Sequence, residues 1–287
     1  MGGARVGRVI EATKISTAAG TFDALACGRA GGREVLMLHG FPQAAIEWEF
    51  QLSALGNGGC HVVAPDQRGY SAGARPERAE DYRLEELVSD VAAFADELGW
   101  ERFDLIGHDW GAYVGWAAAA EFPDRVRTLT AVSMPHPAAL LSAMAEDEDQ
   151  ALRSQYLDMM RRPRVAERIL LADNAAGLRK IFDWKIPEER VDDYIHRLTQ
   201  PEAFTAALNW YRAMHLTGPV PPVPVPTLYV WGTEDATIGS TAATTCAAHV
   251  TGPYRFEMLE DISHWIPEQS PEVLTMLIME HLLSHRA

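Results

Sequence analysis

The sequence predicts an α/β protein: a mostly parallel sheet flanked by helices on both faces, its core split by an inserted all-helical cap. Three observations predict this. Short apolar runs alternate with helix-period segments from about Val9 to Val132, no convincing strand follows until about position 217, and the alternation then resumes. Such alternation marks strand–helix–strand crossovers, which build parallel sheets covered by helices.

Residues 34–38 and 61–64 read as short buried strands, and 103–106 and 128–132 look the same. Between the second and third, Leu84, Leu87, Val88, Val91, Phe94 and Leu98 recur at i, i+3, i+4 spacing, and Gly99 closes that helix. From Pro135 to Thr217 only helical stretches occur, notably 188–198 and 201–216. The segment 218–226, GPVPPVPVP, is a stiff polyproline-like connector. Its PxxP content suits an SH3-type partner in principle, but a linker into the next strand is the simpler reading. Strands at 227–231 and 254–258 follow, then a last helix with Ser270 as cap and Pro271 in its first position. The core is thus assigned to 1–134 and 218–287, the cap to 135–217.

A length of 287 residues suits one α/β core carrying an insertion, and 47% hydrophobic with 23% charged residues implies a globular chain. The net charge of -15 opposes nucleic acid and anionic lipid. Cys27, Cys60 and Cys246 are scattered, and make neither a disulfide framework nor a zinc site, in keeping with a reducing cytoplasm. The start MGGARVGRVIEATK lacks a secretory apolar stretch, and Val6 breaks the myristoylation pattern. The longest apolar run, 114–120, is too short to span a bilayer. A cytoplasmic protein without membrane insertion is expected, and a homo-oligomer stays open.

The sharpest chemical signal is Gly107-His108-Asp109-Trp110-Gly111, at the junction of a buried strand and an Ala-rich helix. In a G-x-Nuc-x-G elbow the small residues permit a turn tight enough to expose the central side chain above the sheet. The central residue is Asp109, where an esterase has Ser. A carboxylate attacking an ester carbonyl would give a reactive anhydride, but at saturated carbon it forms a stable alkyl ester. The helix N-terminus at Trp110 favours its ionised form. The plainer alternative is that Asp109 only caps that helix.

Upstream, His39-Gly40-Phe41-Pro42-Gln43 follows the 34–38 strand, where such folds place one backbone N–H of an oxyanion hole. That donor is assigned to Phe41, and the second to Trp110. The base belongs near the C-terminus, and His264 in Asp261-Ile-Ser-His264-Trp265 follows the last strand on a loop. His281 and His285 read as surface residues, His39 and His108 as loop braces, and His136 as a brace at the cap entrance. The orienting acid is Asp235 in Trp231-Gly-Thr-Glu-Asp235, with Glu234 and Asp261 as alternatives. No acid follows the 128–132 strand.

Together, HGFPQ, Asp66-Gln-Arg-Gly-Tyr70, GHDWG, the cap, the acid strand and SHW resemble the epoxide hydrolase branch of the α/β-hydrolase superfamily, which is related to haloalkane dehalogenases. The resemblance spans nearly the whole chain. It implies an Asp nucleophile, a His–acid pair and two cap tyrosines that hydrogen-bond an epoxide oxygen. The segments 156–167 and 207–212 are similar to the tyrosine-bearing ones, so the implied pair is Tyr156 and Tyr211. Phenols suit this task, because an alkoxide leaves poorly unless a donor meets it. Tyr194 is assigned to packing, with its hydroxyl at the rim. The loop 66–70 is read as structural.

The expected substrates are a small hydrophobic epoxide and water, with no metal and no cofactor. Phe41, Trp110, Trp184 and Trp265 are the expected pocket walls. One departure is Ser263, where many relatives have Gly. A haloalkane dehalogenase would share the elbow and use Trp110 as a halide donor. Phe41 cannot supply the second donor, which leaves Trp184. Haloacetate dehalogenases carry arginines just after the nucleophile, where Trp110 and Tyr113 stand here. A non-catalytic protein of the same fold would have no need of nucleophile, acid, base and both phenols.

Overall fold

The six apolar runs all form strands, each one or two residues longer than its apolar centre. A computed structural model of the chain describes residues 9–213 and 219–285. Eight strands form one sheet: β1 (Glu11–Thr17), β2 (Gly20–Gly28), β3 (Arg33–Leu38), β4 (Cys60–Pro65), β5 (Phe103–His108), β6 (Val126–Val132), β7 (Thr227–Gly232) and β8 (Tyr254–Leu259). Their order is β1-β2-β4-β3-β5-β6-β7-β8. Strands β3 to β8 pair in parallel, while β1–β2 and β2–β4 pair antiparallel.

Strand alternation divides the core into two layers. Val35, Met37, Val62, Ala64, Ile106, Leu228 and Val230 face one side, where they meet α1 (Glu49–Asn57) and the C-terminal helix. Leu36, Leu38, Val63, Leu105, Leu129 and Tyr229 face the other, with α2 (Leu84–Glu97) and α3 (Trp110–Glu121). Residues 110–119 of α3 are all buried, so this helix is apolar all round, as a central helix must be.

Among the described residues, seven helices separate β6 from β7: α4 (Pro137–Glu146), α5 (Glu148–Arg153), α6 (Tyr156–Arg161), α7 (Val165–Leu170), α8 (Ala172–Ile181), α9 (Glu188–Leu198) and α10 (Ala203–Ala213). This is the helical cap. The 188–198 prediction matches α9, whereas 201–216 begins two residues late, because Pro201 and Glu202 form a turn. Positions 214–218, and with them the expected cap boundary, lie outside the described residues. The connector is packed rather than free. Val220, Val223 and Val225 are buried, and Val223 bridges to Val250.

The last helices are α11 (Ser240–Thr245), α12 (Ile266–Gln269) and α13 (Pro271–Ser284). Ser270 precedes α13 as expected, but its side chain makes no capping bond. His281 is also corrected: it is 4% exposed, on the face of α13 turned to the sheet, and not a surface residue. Among the described residues, no helix is long and apolar enough to cross a membrane.

Candidate active site

Strands β3, β5, β7 and β8 deliver the predicted residues to one place, because loops at the C-terminal ends of parallel strands converge there. The elbow is built by close approach. A Cβ on Gly107 would lie 2.4 Å from the Gly111 carbonyl oxygen, and one on Gly111 would lie 2.2 Å from that of Leu38. Asp109 between them has φ 49°, a left-handed conformation that non-glycine residues rarely hold.

Asp109 is not a cap. It precedes α3, yet its side chain makes no capping bond. Its Oδ1 accepts instead from the Phe41 backbone N–H at 2.9 Å. The N–H of Trp110 stands in the first turn of α3, where it has no intrahelical acceptor. Oδ2 lies 3.4 Å from His264 Nε2. Burial opposes ionisation of Asp109, but the hydrogen bond and charge of His264 outweigh it and hold the carboxyl below its usual range.

His264 Nδ1 donates to Asp235 Oδ2 at 2.7 Å. The other oxygen of Asp235 accepts from the N–H groups of Thr237 and Ile238 and from the Thr237 hydroxyl, at 2.8, 2.9 and 2.8 Å. Burial again opposes the charge, and His264 with these donors keeps Asp235 below its usual range. Burial likewise disfavours imidazolium at His264, but Asp235 and Asp109 on its two sides raise it to about 10. Glu234 and Asp261 are exposed, and among the described residues Asp235 alone of the three hydrogen-bonds His264, which leaves Asp235 as the acid of this geometry.

The base loop is pinned from behind. The His264 carbonyl accepts from Ser133 Oγ at 2.7 Å and from His108 Nε2 at 2.9 Å. Ser263 closes its hydroxyl on Gln269 Oε1 at 2.6 Å, so the departure from Gly adds a brace. His39 accepts from the Gln67 N–H, and Gln67 returns a bond to the His39 carbonyl, tying the 66–70 loop to the Phe41 loop. His136 accepts from the Ala138 N–H at the start of α4.

Asp109 and His264 open into a cavity of about 220 Å³ beneath the cap. Phe41, Met159, Met160, Leu170, Ile181 and Trp265 form its apolar wall, and the exposed Asp183, Lys185 and Glu234 mark its mouth. Tyr156 and Tyr211 both line it, with ring centroids 6.4 Å apart. Burial pushes both phenols up from their usual range, and the Asp109 charge adds to this, so both stay protonated at neutral pH.

Three expectations about aromatic residues need correction. Trp184 is 90% exposed and does not line this cavity, because Asp183 and Trp184 take left-handed conformations that turn the ring outward. It cannot act as a second halide donor from there. Trp110 stacks edge-on behind Tyr211, centroids 4.9 Å apart, rather than lining the cavity. Tyr194 is fully buried, and its hydroxyl donates to Glu268 Oε1 at 2.9 Å instead of sitting at a rim. Sequence reasoning missed Thr237, whose D-x-T spacing was a usable signal. It also missed the cap residues Met159, Met160, Leu170 and Ile181, which short irregular helices bring into the wall.

A family model described as alpha/beta hydrolase fold matches residues 34–271. Epoxide hydrolase A of Mycobacterium tuberculosis is 32% identical over 89% of this chain and 92% of its own length. The AB hydrolase superfamily protein YfhM of Bacillus subtilis is also 32% identical, over 91% and 94%. The crystal structure of Epoxide Hydrolase A from Mycobacterium thermoresistibile superposes with a TM-score of 0.83 at 27% identity, covering 96% of this chain and 98% of the other. This chain therefore belongs to the α/β-hydrolase superfamily, in its epoxide hydrolase branch.

Proposed function

We propose that the chain hydrolyses a small hydrophobic epoxide to a vicinal diol through an alkyl ester on Asp109. The observation that carries this reading is a carboxylate at the elbow with a His–Asp pair on one side and two protonated phenols lining the same apolar cavity. Asp109 Oδ2 attacks an epoxide carbon as the C–O bond breaks, while Tyr156 and Tyr211 hydrogen-bond the departing oxygen. The alkoxide takes a proton from a phenol, and imidazolium at His264 restores that proton. His264 is then neutral beside a neutral ester.

In the second half, His264 takes a proton from water and hydroxide adds to the carboxyl carbon of Asp109. Oδ1 is the carbonyl oxygen of that ester, and it already accepts from the Phe41 N–H, so the developing oxyanion meets a donor in place. Collapse releases the diol and returns the Asp109 carboxylate and protonated His264. Asp235 orients the imidazole and offsets its charge. No step requires a metal or an organic cofactor.

Single-turnover hydrolysis of an aryl epoxide in ¹⁸O-water tests the route. Label is expected in the peptide bearing Asp109, and its absence would refute the ester. Replacing His264 by Gln should let the ester accumulate to detection by intact mass. Bromide release from a bromoalkane, without diol formation from the epoxide, would favour a dehalogenase instead.

A further inference from the structure

Next to the base lies a polar cluster to which the mechanism above gives no task. Gln43, Glu47, Trp48 and Gln51 are each at most 3% exposed, and they lie on the Phe41 loop, the 3-10 turn Ala45–Trp48 and α1. Facing them is Glu268 on α12, which packs against that turn. Five buried side-chain atoms here have no hydrogen-bond partner among the described residues: Gln43 Oε1, Glu47 Oε1, Gln51 Oε1, Glu268 Oε2 and Trp48 Nε1. Buried polar atoms are almost always paired, with protein or with water, so five together need an explanation.

Three of the five are acceptors and one is a donor, while Glu268, pushed up to about 7 chiefly by burial, carries a proton part of the time at neutral pH. Glu47 cannot relieve the shortage of donors. His108 donates through Nε2 to the His264 carbonyl, and burial, helped by the His264 charge, lowers its pKa to about 4. Its Nδ1 is then a bare acceptor facing Glu47 Oε2 at 3.3 Å, a contact that holds only if Glu47 carries a proton there. Burial, with the Asp109 charge nearby, pushes Glu47 well up, in agreement. That spends the proton of Glu47 on His108 and leaves Oε1 an acceptor. Water, with two donors per molecule, fits this set.

The substrate cavity supplies the functional argument. Six apolar side chains form much of its wall, and an alkyl group attached to Asp109 would lie among them. Yet the second half of the reaction consumes one water. We infer that Gln43, Glu47, Gln51 and Glu268 enclose a buried water site which supplies ester hydrolysis from the core side of the base. Glu268 is its positioning residue. Its Oε1 accepts from Tyr194 of the cap at 2.9 Å and from Gln43 of the Phe41 loop at 2.8 Å, while Oε2 is buried with no partner among the described residues. Its place on α12, four residues after His264, ties these elements to the base loop.

This rests on the ester route, and the test separates the two. Rapid quench of an aryl epoxide reaction, read by intact mass, gives the rates of ester formation and of ester loss. In Glu268→Leu and in Gln51→Leu, formation should stay within about twofold of wild type while loss slows by about tenfold or more, the scale of a lost buried hydrogen bond. Glu268→Gln, which keeps the acceptor for Tyr194 and Gln43, should recover most of the rate. Ester loss at the wild-type rate in both Leu variants would overturn the inference, as would equal slowing of both steps. Should wild type form no ester, the ester route itself fails. The site is then judged by a high-resolution crystal structure. Ordered water bonded to Glu268 Oε2 and Gln51 Oε1 would uphold the site, and a dry cluster would reject it.

Discussion

Replacing Asp109 by asparagine should lower the pKa of His264 by about two units or more. His264 Nε2 lies 3.4 Å from Asp109 Oδ2, and at an effective dielectric of about 20 a unit charge there contributes about 5 kcal/mol, or roughly 3.6 pKa units. Solvent does little to screen the pair, since the two side chains are 6% and 8% exposed. Starting from about 10, His264 should therefore titrate near neutrality once the charge is gone, held up only by Asp235. The carboxamide of Asp109→Asn is neutral, as the ester is, so the variant reports the base as the second step meets it. The assay is a pH titration of histidine ring ¹⁵N resonances, with His264 assigned by its loss in His264→Gln. A midpoint within about half a unit of wild type would refute the coupling. The sign for stability follows. A folded pKa raised above the unfolded value stabilises fully below about 6.5 and is lost as pH rises through about 10, so the variant should lose less stability over that window.

Tyr156→Phe and Tyr211→Phe should each slow ester formation by about 10²-fold, with ester loss little changed, as rapid quench would show. Trp184→Ala should leave stability within about 0.5 kcal/mol in urea melts, and kcat/KM nearly unchanged, because the ring is 90% exposed. Asp90→Ala should cost about 3–5 kcal/mol in the same melts, since Arg68 is buried and held by Asp90 through two bonds of 2.7 and 2.8 Å. Arg68→Met in the same chain should restore much of that loss.

The central strands were legible because their apolar runs are continuous, which is what burial on both faces requires. The β1–β2 hairpin was not. Glu11–Thr17 buries only Ile15, so its edge strand carries almost no hydrophobic signal. Asp109, Asp235 and His264 were legible because each sits on a short loop after a recognisable strand, so sequence distance from the strand gives position in space. Trp184 failed for the opposite reason. It ends no regular element, and two backbone angles decide whether its ring faces the cavity or solvent. Glu47 and Glu268 were illegible as a pair, because 221 positions separate residues that meet only when α12 packs on the 3-10 turn.

The same contrast bears on how a cap can hold catalytic donors. Tyr211 follows Trp210, whose indole N–H donates to the Arg68 carbonyl at 2.8 Å from full burial. That bond fixes α10 to the 66–70 loop, which in turn braces the Phe41 loop. Tyr156 follows α5, where Gln150 donates to the Thr237 carbonyl and accepts from the Gly239 N–H, and Arg153 donates to the Asp235 carbonyl. Each phenol is thus tied to the loop of a core site residue, one on the Asp109 Oδ1 side and one on the acid side. The polar stripe of α9 works differently. Arg190, Tyr194 and Arg197, at i, i+4 and i+7, reach Glu49, Glu268 and Asp66 of the core. Its two ion pairs are partly exposed and worth at most about 1 kcal/mol each, so they orient the cap more than they secure it. The position of each phenol over Asp109 therefore depends on short local chains of bonds through the triad loops, and less on the rigidity of the cap as a body.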